Sequence, residues 1–131
     1  MRALLAGAAL VAMCVAAYAQ DAAPAAASGD PFADEYGNTL TQTGPDGARI
    51  VTYINEDRTW VQHLPDGSTR RGTYRWRDDH TVCFAQTDPT PTNGQGTGCN
   101  EVHTAHKIGD SWTQKDSKGQ TYSMAIAAGR R

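Results

Sequence analysis

The stretch "PDGSTRRGTYRWRDDHTVCFAQTD", Pro65 to Asp88, decides the fold. Two clusters of turn-forming residues, "PDGS" at 65–68 and "RDDH" at 77–80, bracket a run of Arg, Thr, Tyr and Trp, and a second run rich in Thr, Val and Phe follows. Gly, Asp and Pro favour turns because they accept positive φ, bond their own backbone or preset φ. The β-branched and aromatic residues between them suit extended chain, in which neighbours point to opposite sides. Gly72, Tyr74 and Trp76 then face one way, and Arg71, Thr73, Arg75 and Arg77 the other. Surfaces that stack single-stranded bases need rings and cations in one groove. The pattern therefore predicts a strand with an aromatic core face and a solvated arginine face, with Arg71, Arg75 and Arg77 as a candidate surface for an acidic partner.

The same turn chemistry recurs outward from this stretch, at "GPDG" 44–47, "NEDR" 55–58, "DPTPTNGQGTG" 88–98, "IGDS" 108–111 and "DSKGQ" 116–120. The intervening segments predict strands at 38–43, 48–55, 59–64, 68–77, 80–87, 99–107, 111–116 and 120–127. The fold class is all-β: about eight short antiparallel strands in a meander, closed as a small barrel or folded as a two-sheet sandwich. "PDGARIVTY" at 45–53 and "PDGSTRRGTY" at 65–74 share a turn and a following strand. Alternation puts Ile50 with Ile54, Trp60 with Leu64, Val82 with Phe84, and Tyr122 with Met124 and Ile126 on core faces, joined by Val102 and Trp112. Val51 and Tyr53 fall on the opposite side of the second strand, which is thus expected to be covered twice or to sit at a barrel end. An outer-membrane barrel is excluded, because its strands need about 9–11 residues with an outward apolar band.

The 131-residue chain opens with Arg2, an apolar run from Ala3 to Ala16 and then Ala17-Tyr18-Ala19, the parts of a secretory signal peptide. Polar Gln20 and Asp21 follow too soon for a membrane-spanning helix, which needs about 20 apolar residues. Lipidation at Cys14 is disfavoured because Met13 before it is not small. The expected organisation is a signal peptide at 1–19, a disordered Ala/Pro-rich tether at 20–35 and a single antiparallel β domain at 36–129. Cleavage after Ala19 removes one of 12 basic residues and none of the 14 acidic ones, leaving a net charge near −3. An acidic mature chain argues against nucleic acid as a partner, since such binders gain most of their affinity from neutralising phosphates.

Cleavage also removes Cys14 and leaves Cys83 and Cys99, for which one structural disulfide is the default in an exported chain. A redox role would want closely spaced cysteines such as C-x-x-C. The bridge closes the base of the glycine- and proline-rich loop 88–98, which lacks the following helix a phosphate loop needs and reads as an exposed binding loop.

Two other groups carry chemistry on paper. "CNEVHTAH" brings Cys99, Glu101, His103 and His106 close in sequence, but zinc wants about four converging ligands, the cysteine is expected to be oxidised, and His106 falls on the other strand face from Glu101 and His103. The histidines, with His63 and His80, are read as structural, and no metal or cofactor is expected. "GDS" at Gly109, Asp110 and Ser111 resembles the nucleophile block of the GDSL-type esterases over three residues. That family would supply a longer α/β chain and a downstream aspartate and histidine, whereas Trp112 stands at the leucine position and 20 residues follow Ser111. Taken whole, residues 36–129, with the "PDGS", "GTYRW" and "VCF" hairpins and the closing "GDSW", resemble small uncharacterised exported β-hairpin proteins of bacteria. That resemblance implies export and β structure and brings no activity.

The sequence thus predicts a periplasmic or secreted, monomeric, non-enzymatic β domain that binds a partner protein or envelope polymer and is not integral to the membrane. The alternative is a small-ligand barrel of lipocalin or avidin type with Trp60, Tyr74, Trp76 and Trp112 lining the cavity, and after it a metal-binding or hydrolytic protein. A bridge enclosing about 15 residues stabilises a domain by about 3 kcal/mol. Urea unfolding of the Cys83→Ser/Cys99→Ser variant is expected to show a loss of that size, with the unfolding slope raised as the unfolded chain expands.

Overall fold

The computed structural model describes residues 30–116 and 118–131; the signal peptide and residues 20–29 of the tether lie outside them. Eight strands form one sheet: β1 (Thr39–Thr43), β2 (Arg49–Ile54), β3 (Thr59–His63), β4 (Thr69–Trp76), β5 (Thr81–Asp88), β6 (Thr97–Glu101), β7 (Ser111–Lys115) and β8 (Thr121–Ala127). Every strand pairing is antiparallel, and the order is β6-β5-β4-β3-β2-β1-β8-β7. The sheet curls into a half-barrel. It is neither the closed barrel nor the two-sheet sandwich expected, because β6 and β7 do not pair and a seam stays open between them.

Turn chemistry accounts for the meander. Four hairpins close on the same pair of backbone bonds, as at Leu64 N–H to Ser68 O (2.9 Å) and Gly67 N–H to Leu64 O (3.0 Å), repeated at 44–48, 55–59 and 116–120. A residue at positive φ is needed before the second strand, and Gly67 supplies it at φ 82°. In the 55–59 turn Arg58 takes that place at φ 68°, with its guanidinium 5.6 Å from the centre of the Tyr74 ring. An aspartate caps each turn: the carboxylates of Asp46, Asp57, Asp66 and Asp116 accept the amides of Ala48, Thr59, Ser68 and Lys118. The Thr59 hydroxyl and amide hold Asp57 below the usual carboxylate range, and those of Ser68 do the same for Asp66.

The sixth strand departs from the expected 99–107. It starts at Thr97, opposite Ala85, and ends at Glu101, because β5 offers no further ladder beyond Thr81; only Val102 N–H reaches back, to His80 O at 2.7 Å. The chain then crosses the seam and rejoins the sheet where Gly109 N–H meets Ile126 O at 2.8 Å. Cys83 and Cys99 are directly opposed on β5 and β6 and form a disulfide. Their strand neighbours Val82 and Phe84 face the concave side, so the bridge lies on the convex one.

The core gathers at one end of the concave face, where Ile54, Trp60, Tyr74 and Val82 are buried. Packed structure begins before residue 36. Asp30 to Asn38 folds as consecutive turns that lay Phe32, 5 % exposed, against Tyr74, Trp76 and Phe84 with ring centres 5.5, 5.0 and 6.2 Å away. Asp30 ties this segment down by accepting Phe32 N–H at 3.0 Å and Tyr36 O–H at 2.5 Å. On the convex side the C-terminus covers β2, as the alternation of Val51 and Tyr53 implied: Arg130 lies 5.1 Å from the Tyr53 ring centre, and the Tyr53 hydroxyl donates to Arg131 O.

Trp60 crosses the sheet onto Gly72, its direct partner on β4, and donates its indole N–H to Thr73 O at 3.0 Å. A Cβ at Gly72 would sit 2.0 Å from Ala85 O and 2.6 Å from the Trp60 ring. Overpacking of this kind costs about 1–3 kcal/mol. Gly72→Ala is expected to reach the upper end of that range in urea unfolding, because the nearer obstacle is backbone. Gly98→Ala on exposed β6, where an added Cβ meets nothing within 4 Å, should stay within about 0.5 kcal/mol of the wild type.

Candidate functional site

The curl leaves a trough of about 750 Å³ along the concave face, within the usual range for ligand pockets. Alternation along the inner strands β1 to β5 lines it, and the edge strands β6 and β7 add consecutive residues. At the core end stand Phe32, Ile54, Trp60, Val82, Phe84 and Val102. Further along the strands the lining is mixed: Thr52, Gln62 and Arg70 are neighbours in register with Leu40 beside Thr52, Gln86 stands opposite Gly72, Gln42 lies beside Met124 and Trp112, and Gln114 comes two residues after Trp112. Gln86 donates to Pro89 O at 2.7 Å. No described residue gives the side-chain amide of Gln42, Gln62 or Gln114 a hydrogen bond, so each presents both a donor and an acceptor to the trough.

The linker 102–110 walls the seam at the core end, where Val102, His103, Thr104 and His106 line the trough. His106 stacks face to face on Trp112, with ring centres 3.5 Å apart and planes within 3°. The pair makes a flat platform at the open edge. Gly96, Thr97 and Gly98 carry the disulfide-based loop down to the rim.

Of the four rings expected to line a cavity, Trp60 and Trp112 do so. Tyr74 and Trp76 instead pack behind Phe32, a ring from the segment expected to be tether. Arg71, Arg75 and Arg77 are exposed, with Arg71 and Arg75 on the convex face opposite the trough and Arg77 beside Asp78 at 3.5 Å. Arg70, one residue earlier, is the arginine that reaches the trough. Its parity with Gly72 was visible in the sequence.

The histidines are dispersed: His63 packs on Tyr53 outside, His80 and His103 lie 5.7 Å apart by ring centre, and His106 is stacked on Trp112. His103 Nε2 is 3.0 Å from a Glu101 carboxylate oxygen. Among the described residues no group of three His, Cys, Asp or Glu is arranged to hold a metal ion. Ser111 pairs with Ala125 on the exposed start of β7, and no hydrogen bond joins it to a histidine; the Asp110 carboxylate instead accepts the Lys107 amide at 2.9 Å. The Cys83–Cys99 bridge is compatible with an oxidising, extracytoplasmic location, and no helix among the described residues is long and apolar enough to cross a membrane.

One lining residue was hidden from sequence reasoning. Glu35, in the turn segment below Phe32, is only 6 % exposed and lines the core end of the trough. No hydrogen bond or ion pair among the described residues reaches its carboxyl. Yet no fully buried side-chain oxygen among those residues lacks a partner. Each carboxyl oxygen of Glu35 therefore keeps some exposure, on a residue that lines the trough. Burial, reinforced by the negative charge of Asp30, raises its pKa from 4.5 to about 7. No family model, curated protein or solved structure matches the chain.

A carboxyl that holds its proton more tightly in the folded than in the unfolded chain links stability to pH. Between pH 4.5 and about 7 the folded chain keeps a proton at Glu35 that the unfolded chain has released. Stability from this group is thus complete below that window, falls as pH rises through it, and levels off above, with a total change of about 3 kcal/mol. Urea midpoints from pH 4.5 to 8 are expected to follow this slope in the wild type. In Glu35→Gln that component should vanish, leaving the variant more stable than the wild type at pH 8.

Proposed function

We propose that the protein is an exported, non-enzymatic binding domain that takes one small ligand, or one segment of an envelope polymer, into the trough. The make-up of the concave face carries this reading: an aromatic end joined to a stretch where the amides of Gln42, Gln62 and Gln114 have no hydrogen-bond partner among the described residues, around about 750 Å³ of open space. Buried apolar groups supply affinity, and a few convergent polar groups fix orientation. The amides suit hydroxyl or amide groups, because each both donates and accepts. The Trp112–His106 platform and Trp60 supply flat faces for a ring. Export is supported by the leader-like N-terminus and by the disulfide.

A second reading, a protein partner, draws on the sheet edges. β6 is exposed at all five positions, and the outer edges of β6 and β7 present unpaired backbone groups to which an extended partner segment can add.

Tryptophan emission titrated with a panel of oligosaccharides, lipids and metabolites separates the two. Trough binding predicts a saturable shift that Trp112→Phe reduces and that Gln62→Ala/Gln114→Ala weakens about tenfold or more, as expected for two lost hydrogen bonds. Arg71→Glu/Arg75→Glu/Arg77→Glu should leave the titration unchanged within about twofold, since surface charges away from a site contribute little. A flat response across the panel, with an extended peptide retained instead, would transfer the function to the edges.

A further inference from the structure

We propose that Glu35 is the ligand's anchoring group and that the ligand carries a protonated amine on a flat apolar body, seated at the aromatic end of the trough. The inference rests on the trough being the binding site. Its starting point is an imbalance in the free protein. A carboxyl on a residue only 6 % exposed, without any hydrogen bond among the described residues, is a costly thing to keep in a lining shared with Phe32 and Ile54. A methionine would fill similar space at no such cost. What the carboxyl provides is a strong acceptor opening into a ligand-sized space.

Three features at that spot select a cation over a neutral donor. Glu35 is itself anionic when its proton leaves. Asp30, two turns earlier in the same segment, adds a second negative charge close enough to affect Glu35. The rings of Phe32, Trp60 and Phe84 line the same end, and aromatic faces attract cations, most strongly where water is excluded. An ammonium placed there meets a charge-assisted acceptor and ring faces together, and its apolar body continues along Val82 and Val102 toward the glutamine amides. Arg70 and Lys115, the cations of the lining, lie on its mixed stretch, beyond the Trp60–Gly72 row.

Proton linkage follows from the chemistry. Below pH 7 the folded protein holds a proton on Glu35. An amine that binds the ionised carboxylate must expel it, so uptake of the amine releases close to one proton at pH 6. Apparent affinity then rises about thirtyfold between pH 5.5 and pH 8. Other charged or titratable groups lining the space are Glu101 on β6, His103 and His106 on the linker, Arg70 and Lys115, with Asp30 acting on Glu35 from the same segment, so the profile is also taken in His103→Gln/His106→Gln.

The test uses 2-phenylethylamine and its neutral counterpart 2-phenylethanol, titrated by calorimetry into the full mature chain in two buffers of different ionisation heat. The expected result has four parts: preference for the amine at pH 8, proton release near one at pH 6, the pH rise retained without the two histidines, and at least tenfold weaker amine binding by Glu35→Gln with the alcohol unaffected. Equal binding of amine and alcohol overturns the anchor while leaving the trough as a site. Undiminished amine binding by Glu35→Gln, itself expected to fold at least as stably, overturns it likewise. Failure of the wild type to bind either probe removes arylalkylamines from the assignment, and the tryptophan titration then decides separately whether the trough binds anything.

Discussion

The position of Trp60 on Gly72 is the constraint from which the rest of this structure follows. The indole can lie across β4 only where no Cβ stands, and the space above Gly72 is so narrow that its nearest obstacle would be the β5 backbone. With the ring laid flat and its N–H bonded to Thr73 O, three strands are locked at one height. On one side of that row, rings and aliphatic groups meet and exclude water. On the other side the trough stays open, and Thr52, the glutamines and Arg70 face it together with Leu40, Met124 and Trp112. A larger residue at 72 would lift the indole and blur the boundary. The trough therefore exists because a single row of the sheet is sealed by a ring crossing a glycine.

The segment before β1 completes the sealed end in a different way. Asp30, Phe32 and Tyr36 are held by local bonds and ring contacts, and the Tyr74 hydroxyl, which donates to Asn55 O at 2.9 Å, also meets the Tyr36 hydroxyl at 3.3 Å. Burial pushes the Tyr36 and Tyr74 phenols up, so both stay neutral donors throughout the ordinary pH range. This network fixes the turn on which Glu35 sits. A carboxyl on a loose loop would turn to water and lose its unusual affinity for a proton. Held beneath Phe32, it has no such escape, and its energetic cost becomes available to whatever enters the trough.

Seven of the strands were legible because turn residues and period-two alternation agreed with each other at Pro65–Asp88 and again at each neighbouring hairpin. The sixth was misplaced because its length is set by where β5 ends, a long-range fact with no local mark in "CNEVHTAH". The faces of Trp60, Trp112 and the arginines could be read for the same reason as the strands. Tyr74 and Trp76 could not be told from cavity residues, since their ring partner Phe32 comes from 42 and 44 positions upstream. The glutamines carried a faint signal, each lying two residues from a core-facing position, which is what a half-apolar inner face requires. Glu35 carried none. Acidic and small residues around it look like solvated tether, and only the docking of Phe32 draws the carboxyl inward.

The open seam fits a trough with unlike ends. Closing β6 onto β7 would have sealed the interior at the width of eight strands, where side chains or a single small ligand fill the space. Instead β6 contributes Gly98 and Asn100, which take little room, and the linker walls only the core end. Charge is distributed along the same axis: Glu35 and Glu101 lie toward the linker and the core, whereas Arg70 and Lys115 lie toward the opposite strand ends. Low-dielectric walls strengthen such a field inside a cleft relative to bulk water. A ligand with a positive head and a polar or negative tail entering through the seam would therefore be turned the same way by the charges as by the division between rings and amides, so that orientation and affinity draw on one asymmetry of the sheet.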